Sequence, residues 1–170
     1  NGSASSNYGG LLSDISNVTI ITNTLAVAGT DTIYGISLSN AAQTNISGNT
    51  FVVSGTFGSR GISIDGASAR TQFVRNHVTM FSNESTTGQA GNPAVYVAIG
   101  PAVNVSSNII YTHGFDYSVG IVFNNPALND TAYNNTIITN GSSRYSVGIR
   151  IRNSVSQINV TENNITTGGS

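Results

Sequence analysis

Thr44–Phe51, TNISGNTF, recurs with variation six times along this chain. The other copies are Thr19–Leu25 (TIITNTL), Gln72–Val78 (QFVRNHV), Asn104–Ile110 (NVSSNII), Thr131–Ile137 (TAYNNTI) and Asn159–Ile165 (NVTENNI). Alignment places Asn23, Asn49, Asn76, Asn108, Asn135 and Asn163 in one column, at separations of 26, 27, 32, 27 and 28 residues. Two positions later stand Leu25, Phe51, Val78, Ile110, Ile137 and Ile165. Three positions earlier stand Ile20, Ile46, Phe73, Val105, Ala132 and Val160.

A second set of columns keeps the same phase. Gly35, Gly61, Ala94, Gly120 and Gly148 are followed by Ile36, Ile62, Val95, Ile121 and Ile149, then by Leu38, Ile64, Val97, Phe123 and Ile151. Self-similarity at a period of 20 to 50 residues is the mark of a solenoid. Apolar residues two apart, rich in β-branching and punctuated by Gly, Asn and Ser, read as short strands with one buried face. Sandwiches and barrels also use short strands, but nothing in them repeats the same residues every 27 or so. A parallel β-helix does, because each coil lies about 4.8 Å above the last and like side chains stack. An inward Asn at a bend can then donate to and accept from its neighbours above and below. Helix formers are scarce: Leu occurs five times, Met once and Lys never.

The expected fold is therefore all-β, a single-stranded right-handed parallel β-helix of about six coils with an internal Asn ladder and almost no helix. Its hand is set by the chirality of parallel crossovers. Residues 1–14 form a partial first coil. Full coils run over about 17–43, 44–70, 71–102, 103–128 and 129–156, and residues 157–170 form a partial last coil. The 170 residues make one domain. The Asn column and the Gly-Ile column resemble those of the right-handed parallel β-helix superfamily, the pectate-lyase-like family, over residues 15–167. That resemblance implies a fold rather than a function, since the family spans lyases, hydrolases, epimerases, tailspikes, adhesins and structural rods.

Asn, Ser, Thr and Gly make 83 of the 170 residues, a composition that would suit disorder. Leu, Ile, Val and Phe, at 44, fall in registered columns and so form a core. With 13 charged residues and a net charge of −1, neither nucleic acid nor an anionic membrane is an expected partner. No apolar run could span a bilayer, and no signal-peptide pattern opens the chain. Cys is absent, so no disulfide or thiolate metal site is expected. No cofactor is expected either.

Ten Asn-x-Ser/Thr triplets begin at Asn1, Asn17, Asn45, Asn83, Asn104, Asn129, Asn134, Asn140, Asn159 and Asn164. They suggest a glycosylated, extracellular protein. Asn45, Asn104 and Asn159 each precede an inward apolar residue, so they are the ones expected to face solvent.

Polysaccharide cleavage needs two carboxyls within about 5–10 Å. Asp14, Asp31, Asp65, Glu84, Asp116, Asp130 and Glu162 are scattered. Asp31 and Asp116 share a column three coils, or about 14 Å, apart. No catalytic residue is assigned. Asp116 and Arg144 align in adjacent coils, as do Tyr117 and Tyr145. Arg150 and Arg152 flank an inward Ile151, so with Tyr117 and Tyr145 they mark a possible binding face, alternatively a solvated strand face with an exposed ion pair. His77 and His113 have no metal spacing. Coil three carries a longer loop, Ser82–Pro93, and long loops of solenoids often bind ligands.

The leading expectation is a non-catalytic extracellular structural or surface protein. A carbohydrate-binding or polysaccharide-cleaving domain is the alternative. Gly168-Gly169-Ser170 falls in the phase of Asn140-Gly141-Ser142 and of Asn1-Gly2-Ser3. The chain thus opens and closes at one corner of the coil, so copies could stack head to tail into a filament.

Overall fold

Apolar side chains two residues apart reach only one side of an extended chain, as Phe51 with Val53 and Ile62 with Ile64 do, and the described residues form eighteen short strands. The computed structural model describes residues 6–56, 58–82, 92–114, 117–125, 129–141, 145–153 and 157–169, and no helix occurs among them. Strands β1 (Asn7–Ser13), β4 (Ile33–Ser39), β7 (Arg60–Asp65), β10 (Asn92–Val97), β13 (Tyr117–Asn124) and β16 (Tyr145–Arg152) form a first sheet. Strands β2 (Thr19–Ile21), β5 (Asn45–Ser47), β8 (Gln72–Val74), β11 (Asn104–Ser106), β14 (Asp130–Tyr133) and β17 (Ile158–Thr161) form a second. The third holds β3 (Thr24–Ala28), β6 (Thr50–Gly55), β9 (His77–Ser82), β12 (Ile109–Gly114), β15 (Thr136–Gly141) and β18 (Asn164–Gly169). Every pairing between these strands is parallel, and each strand pairs with the strand three places on. This is a parallel β-solenoid with three faces. Five full turns separate β1 from β16, slightly fewer than the six coils expected.

The sequence columns are registers. Ile20 pairs with Ile46, Ile46 with Phe73, Phe73 with Val105, Val105 with Ala132 and Ala132 with Val160. Ile36, Ile62, Val95, Ile121 and Ile149 pair likewise on the first sheet. Apart from Val160, which is exposed, their side chains fill one interior cluster around Phe51 and Phe73, whose rings lie 6.0 Å apart. The glycine column has a steric cause: a Cβ on Gly61 would lie 2.5 Å from the Ala94 carbonyl oxygen of the next coil.

The Asn ladder is continuous and directional. Each Asn Oδ1 accepts both the backbone N–H and the side-chain N–H of the Asn one coil before it. From Asn76 to Asn108 these bonds are 2.9 and 3.2 Å, and from Asn135 to Asn163 they are 3.0 and 2.8 Å. From Asn49 onward each Nδ2 also reaches back to a carbonyl of the preceding coil, as Asn108 does to Phe73 at 2.9 Å, whereas Asn23 Nδ2 donates to the Ile21 carbonyl of its own coil. Asn49, Asn76, Asn108 and Asn135 are buried, whereas Asn163 is half-buried and Asn23 exposed. Both of the latter sit on the first and last rungs of the described residues. Ile151 is exposed rather than interior for the same reason, since β16 is an end strand of its sheet.

The bends carry a pattern the sequence does not advertise. The residue before each ladder Asn has a left-handed backbone: Thr22, Gly48, Arg75, Ser107, Asn134 and Glu162 all have φ between 52° and 66°. The N–H groups of Thr22, Gly48, Arg75, Ser107 and Asn134 donate to carbonyls of the next coil, as Ser107 does to Tyr133 at 2.9 Å. A left-handed residue costs a non-glycine about 1–2 kcal/mol, and here it turns the chain while keeping its N–H in the ladder. A second polar corner sits between the third and first sheets. There Ser59 Oγ accepts from the Ile33 N–H at 3.0 Å, and Asn92 Oδ1 accepts from the Ser59 N–H at 2.8 Å.

Candidate functional site

Alternation gives each sheet an outer face, and ligand chemistry has to be found there. On the first sheet the outward positions of β1, β4, β7 and β10 bring aromatic rings and a cation together. Tyr8 and Tyr34 are register partners and stack at 5.0 Å, with an interplanar angle of 9°. The Arg60 guanidinium lies 5.6 Å from the Tyr34 ring and 3.6 Å from the Tyr96 ring, and donates to Ser63 Oγ at 2.8 Å. Such cation–π contacts hold a guanidinium flat against rings. Further along, Tyr96, Ala98, Val119 and Val122 form a buried apolar cluster separate from the interior core, with Val147 packed against it. Neither feature was among the expectations from the sequence. The tyrosines at Tyr8 and Tyr34, 26 residues apart, were the available signal.

The expected binding face lies beyond that cluster on the same sheet. Val122 pairs with Arg150, and Asn124 with Arg152, so both arginines take outward positions, each half-buried. The backbones of Tyr117 and Tyr145 are in register. Asp116, Arg144, Glu84 and residues 83–91 of the long loop lie outside the described residues, as do Asn1 and Asn83.

The described acids are engaged in holding turns and coils. Asp14 accepts from Asn40 Nδ2 at 3.0 Å and from Ser13 Oγ at 2.7 Å, and those two bonds hold its pKa below the ordinary aspartate value. Asp65 Oδ1 accepts from the Gly66 N–H at 2.7 Å. Asp130 is fully buried and accepts from the Val103 N–H at 2.9 Å. The exposed Tyr133 is hydrogen-bonded to Glu162, which pushes the phenol pKa up, first through that bond and then through the carboxylate charge. Among the described residues no group of three His, Asp or Glu could hold a metal ion. A groove of about 510 Å³ follows the bends between the first and second sheets. Its described lining is Ala42, Gln43, Ala69, Arg70, Pro101, Ala102 and Asn129, with no carboxylate among them.

The second sheet presents a polar row in register: Thr19, Asn45, Gln72, Asn104, Thr131 and Asn159. Asn45 and Asn159 are exposed. Asn104 is half-buried, and its Nδ2 donates to Gln72 Oε1 at 2.9 Å, so it does not face solvent as freely as expected. Of the remaining triplets Asn17, Asn129, Asn134, Asn140 and Asn164 are exposed.

His77 and His113 lie on the outer face of the third sheet, in edge-on contact with Tyr111 at 5.5 Å and Phe81 at 6.4 Å respectively. No protein-family model, no curated protein and no solved structure matches the chain.

Proposed function

We propose that this chain is a non-catalytic, extracellular structural protein that stacks head to tail, coil upon coil. The supporting observation is that its interior hydrogen bonding is directional and repeats from coil to coil: each ladder Oδ1 from Asn49 to Asn163 accepts the backbone N–H and the side-chain N–H of the Asn one coil before it. A coil of one copy thus offers the donors and acceptors that a coil of another copy could use, and the inward apolar columns keep the same register. A contact of this heterologous kind does not close, so it propagates as a filament. Sedimentation of the chain at micromolar concentration tests this. Growing polymers that Ile165→Asp abolishes are expected, and a stable monomer overturns the reading.

The extracellular, glycosylated part of the proposal rests on Asn45 and Asn159, exposed in one outward row. Intact mass after secretion from a glycosylating host should exceed the bare 17.6 kDa with sugar at these two sites. A mass equal to the bare polypeptide removes that part.

Carbohydrate binding in the manner of a pectate-lyase-like β-helix is the second reading, favoured by the Tyr8–Tyr34–Arg60 stack. Flat sugar faces dock on such rings. Titration with neutral and acidic oligosaccharides should then give binding that Tyr34→Ala removes; no binding ends it.

A further inference from the structure

We infer that Tyr8 and Tyr34 are an oxidative cross-linking site, where one-electron oxidation joins the two phenol rings into a dityrosine. The two are register partners on β1 and β4, on the outer face of the first sheet. Register partners leave neighbouring strands in the same direction, so like atoms of the two rings face each other. The ring centroids lie 5.0 Å apart and the planes differ by 9°. Tyr8 is 43% exposed on an edge strand, so its ring is open to an oxidant and has room to hinge. Tyr34 is half-buried and backed by the Arg60 guanidinium at 5.6 Å, which is itself held 3.6 Å from the Tyr96 ring and bonded to Ser63 Oγ. One ring is thus fixed, and the other can swing onto it.

Composition directs oxidation to tyrosine. The chain has no Cys and no Trp, and its one methionine, Met80, is buried. Among the described residues no other tyrosine ring stacks on a tyrosine: Tyr111 pairs in register with Thr79 and Ile138, and Tyr133 with Ser106 and Thr161. In the reaction each phenol gives up one electron and one proton, leaving a phenoxyl radical with spin on Cε. The two Cε atoms bond, and the hydrogen on each moves to its phenol oxygen, which restores both aromatic rings. The two electrons and two protons pass through a haem peroxidase to one hydrogen peroxide, which leaves as two waters. Held on adjacent strands, the second ring has an effective concentration about a thousandfold above that of a ring on another chain at micromolar concentration. The bond ties the edge strand to the next coil and closes a loop that the unfolded chain can then no longer open.

The test is the full chain at micromolar concentration with a haem peroxidase and hydrogen peroxide. Dityrosine fluorescence should appear in a band that stays monomeric on a denaturing gel. Its intact mass should fall by that of two hydrogen atoms, and peptide mapping should join Tyr8 to Tyr34. Phenylalanine keeps the stack and the fold, so Tyr8→Phe and Tyr34→Phe should each cut the fluorescence of the monomer band by about tenfold or more. Tyr111→Phe should leave it unchanged. The inference is overturned if the cross-link forms only between chains, if it maps to other tyrosines such as Tyr117 and Tyr145, or if Tyr34→Phe retains the signal. Head-to-tail growth is read separately by sedimentation, so either idea can fail without the other.

Discussion

Asn108 gives both its backbone N–H, at 3.0 Å, and its side-chain N–H, at 2.9 Å, to the single Oδ1 of Asn135. Its own Oδ1 takes the same pair of bonds from Asn76, and its Nδ2 reaches the Phe73 carbonyl. One side chain thus satisfies buried groups on three consecutive coils.

Replacing Asn108 with Leu should therefore strand partners on both sides at once. Unsatisfied buried groups cost about 1–3 kcal/mol each before relaxation, so a loss of at least about 2 kcal/mol is expected. Urea denaturation, compared with Asn23→Leu on the exposed terminal rung, would check this. The terminal variant should lose much less.

The left-handed column makes a prediction of opposite sign at two of its members. Ser107, at φ 56°, is expected to gain stability as Gly, by up to about 1 kcal/mol after the entropy cost of glycine. Gly48, at φ 66°, should lose about 1 kcal/mol as Ala, because its new Cβ meets only ordinary contact at 3.7 Å and the backbone carries the whole cost. Thermal melts of the two variants should move in opposite directions.

Thr112 and Thr139 are register partners in the interior, and neither buried hydroxyl has a hydrogen-bond partner among the described residues. Valine keeps the shape and removes the desolvated oxygen. Thr112→Val with Thr139→Val should raise stability by about 1–3 kcal/mol. A loss on urea denaturation would mean that the hydroxyls are satisfied by bound water.

Two exposed pairs give pH dependence at opposite ends of the scale. Asp14 has a depressed folded pKa, so its contribution is present above the unfolded value and fades as pH falls through the folded one. Asn40→Ala should return its carboxyl titration, followed by NMR, toward the ordinary value. Tyr133 has a raised folded pKa, so its contribution holds below the unfolded value and is lost as pH rises through the folded one. Glu162→Gln should bring its phenolate absorbance transition to lower pH.

The repeat made much of the molecule legible. Columns such as Ile46, Phe73 and Val105, or Asn76, Asn108 and Asn135, are separated in the chain by one coil and in space by one strand spacing. A period in sequence is thus a stack in space. Outward residues obey no such repeat, because solvent accepts many side chains, and this is why the Tyr8–Tyr34–Arg60 stack and the His77–Tyr111 contact were not foreseen.

The sequence by itself determined the parallel solenoid, the inward columns and the Asn ladder, since only stacking of like residues can bury so polar an interior without leaving amides unpaired. Tertiary structure alone decided the rest. It set the left-handed bends at Thr22, Arg75 and Ser107, which are fixed by hydrogen bonds to the next coil rather than by local preference. It also decided that Val119 and Val122 are covered while Phe81 and Tyr111 are open, because cover depends on what packs across a face and not on the residues within it.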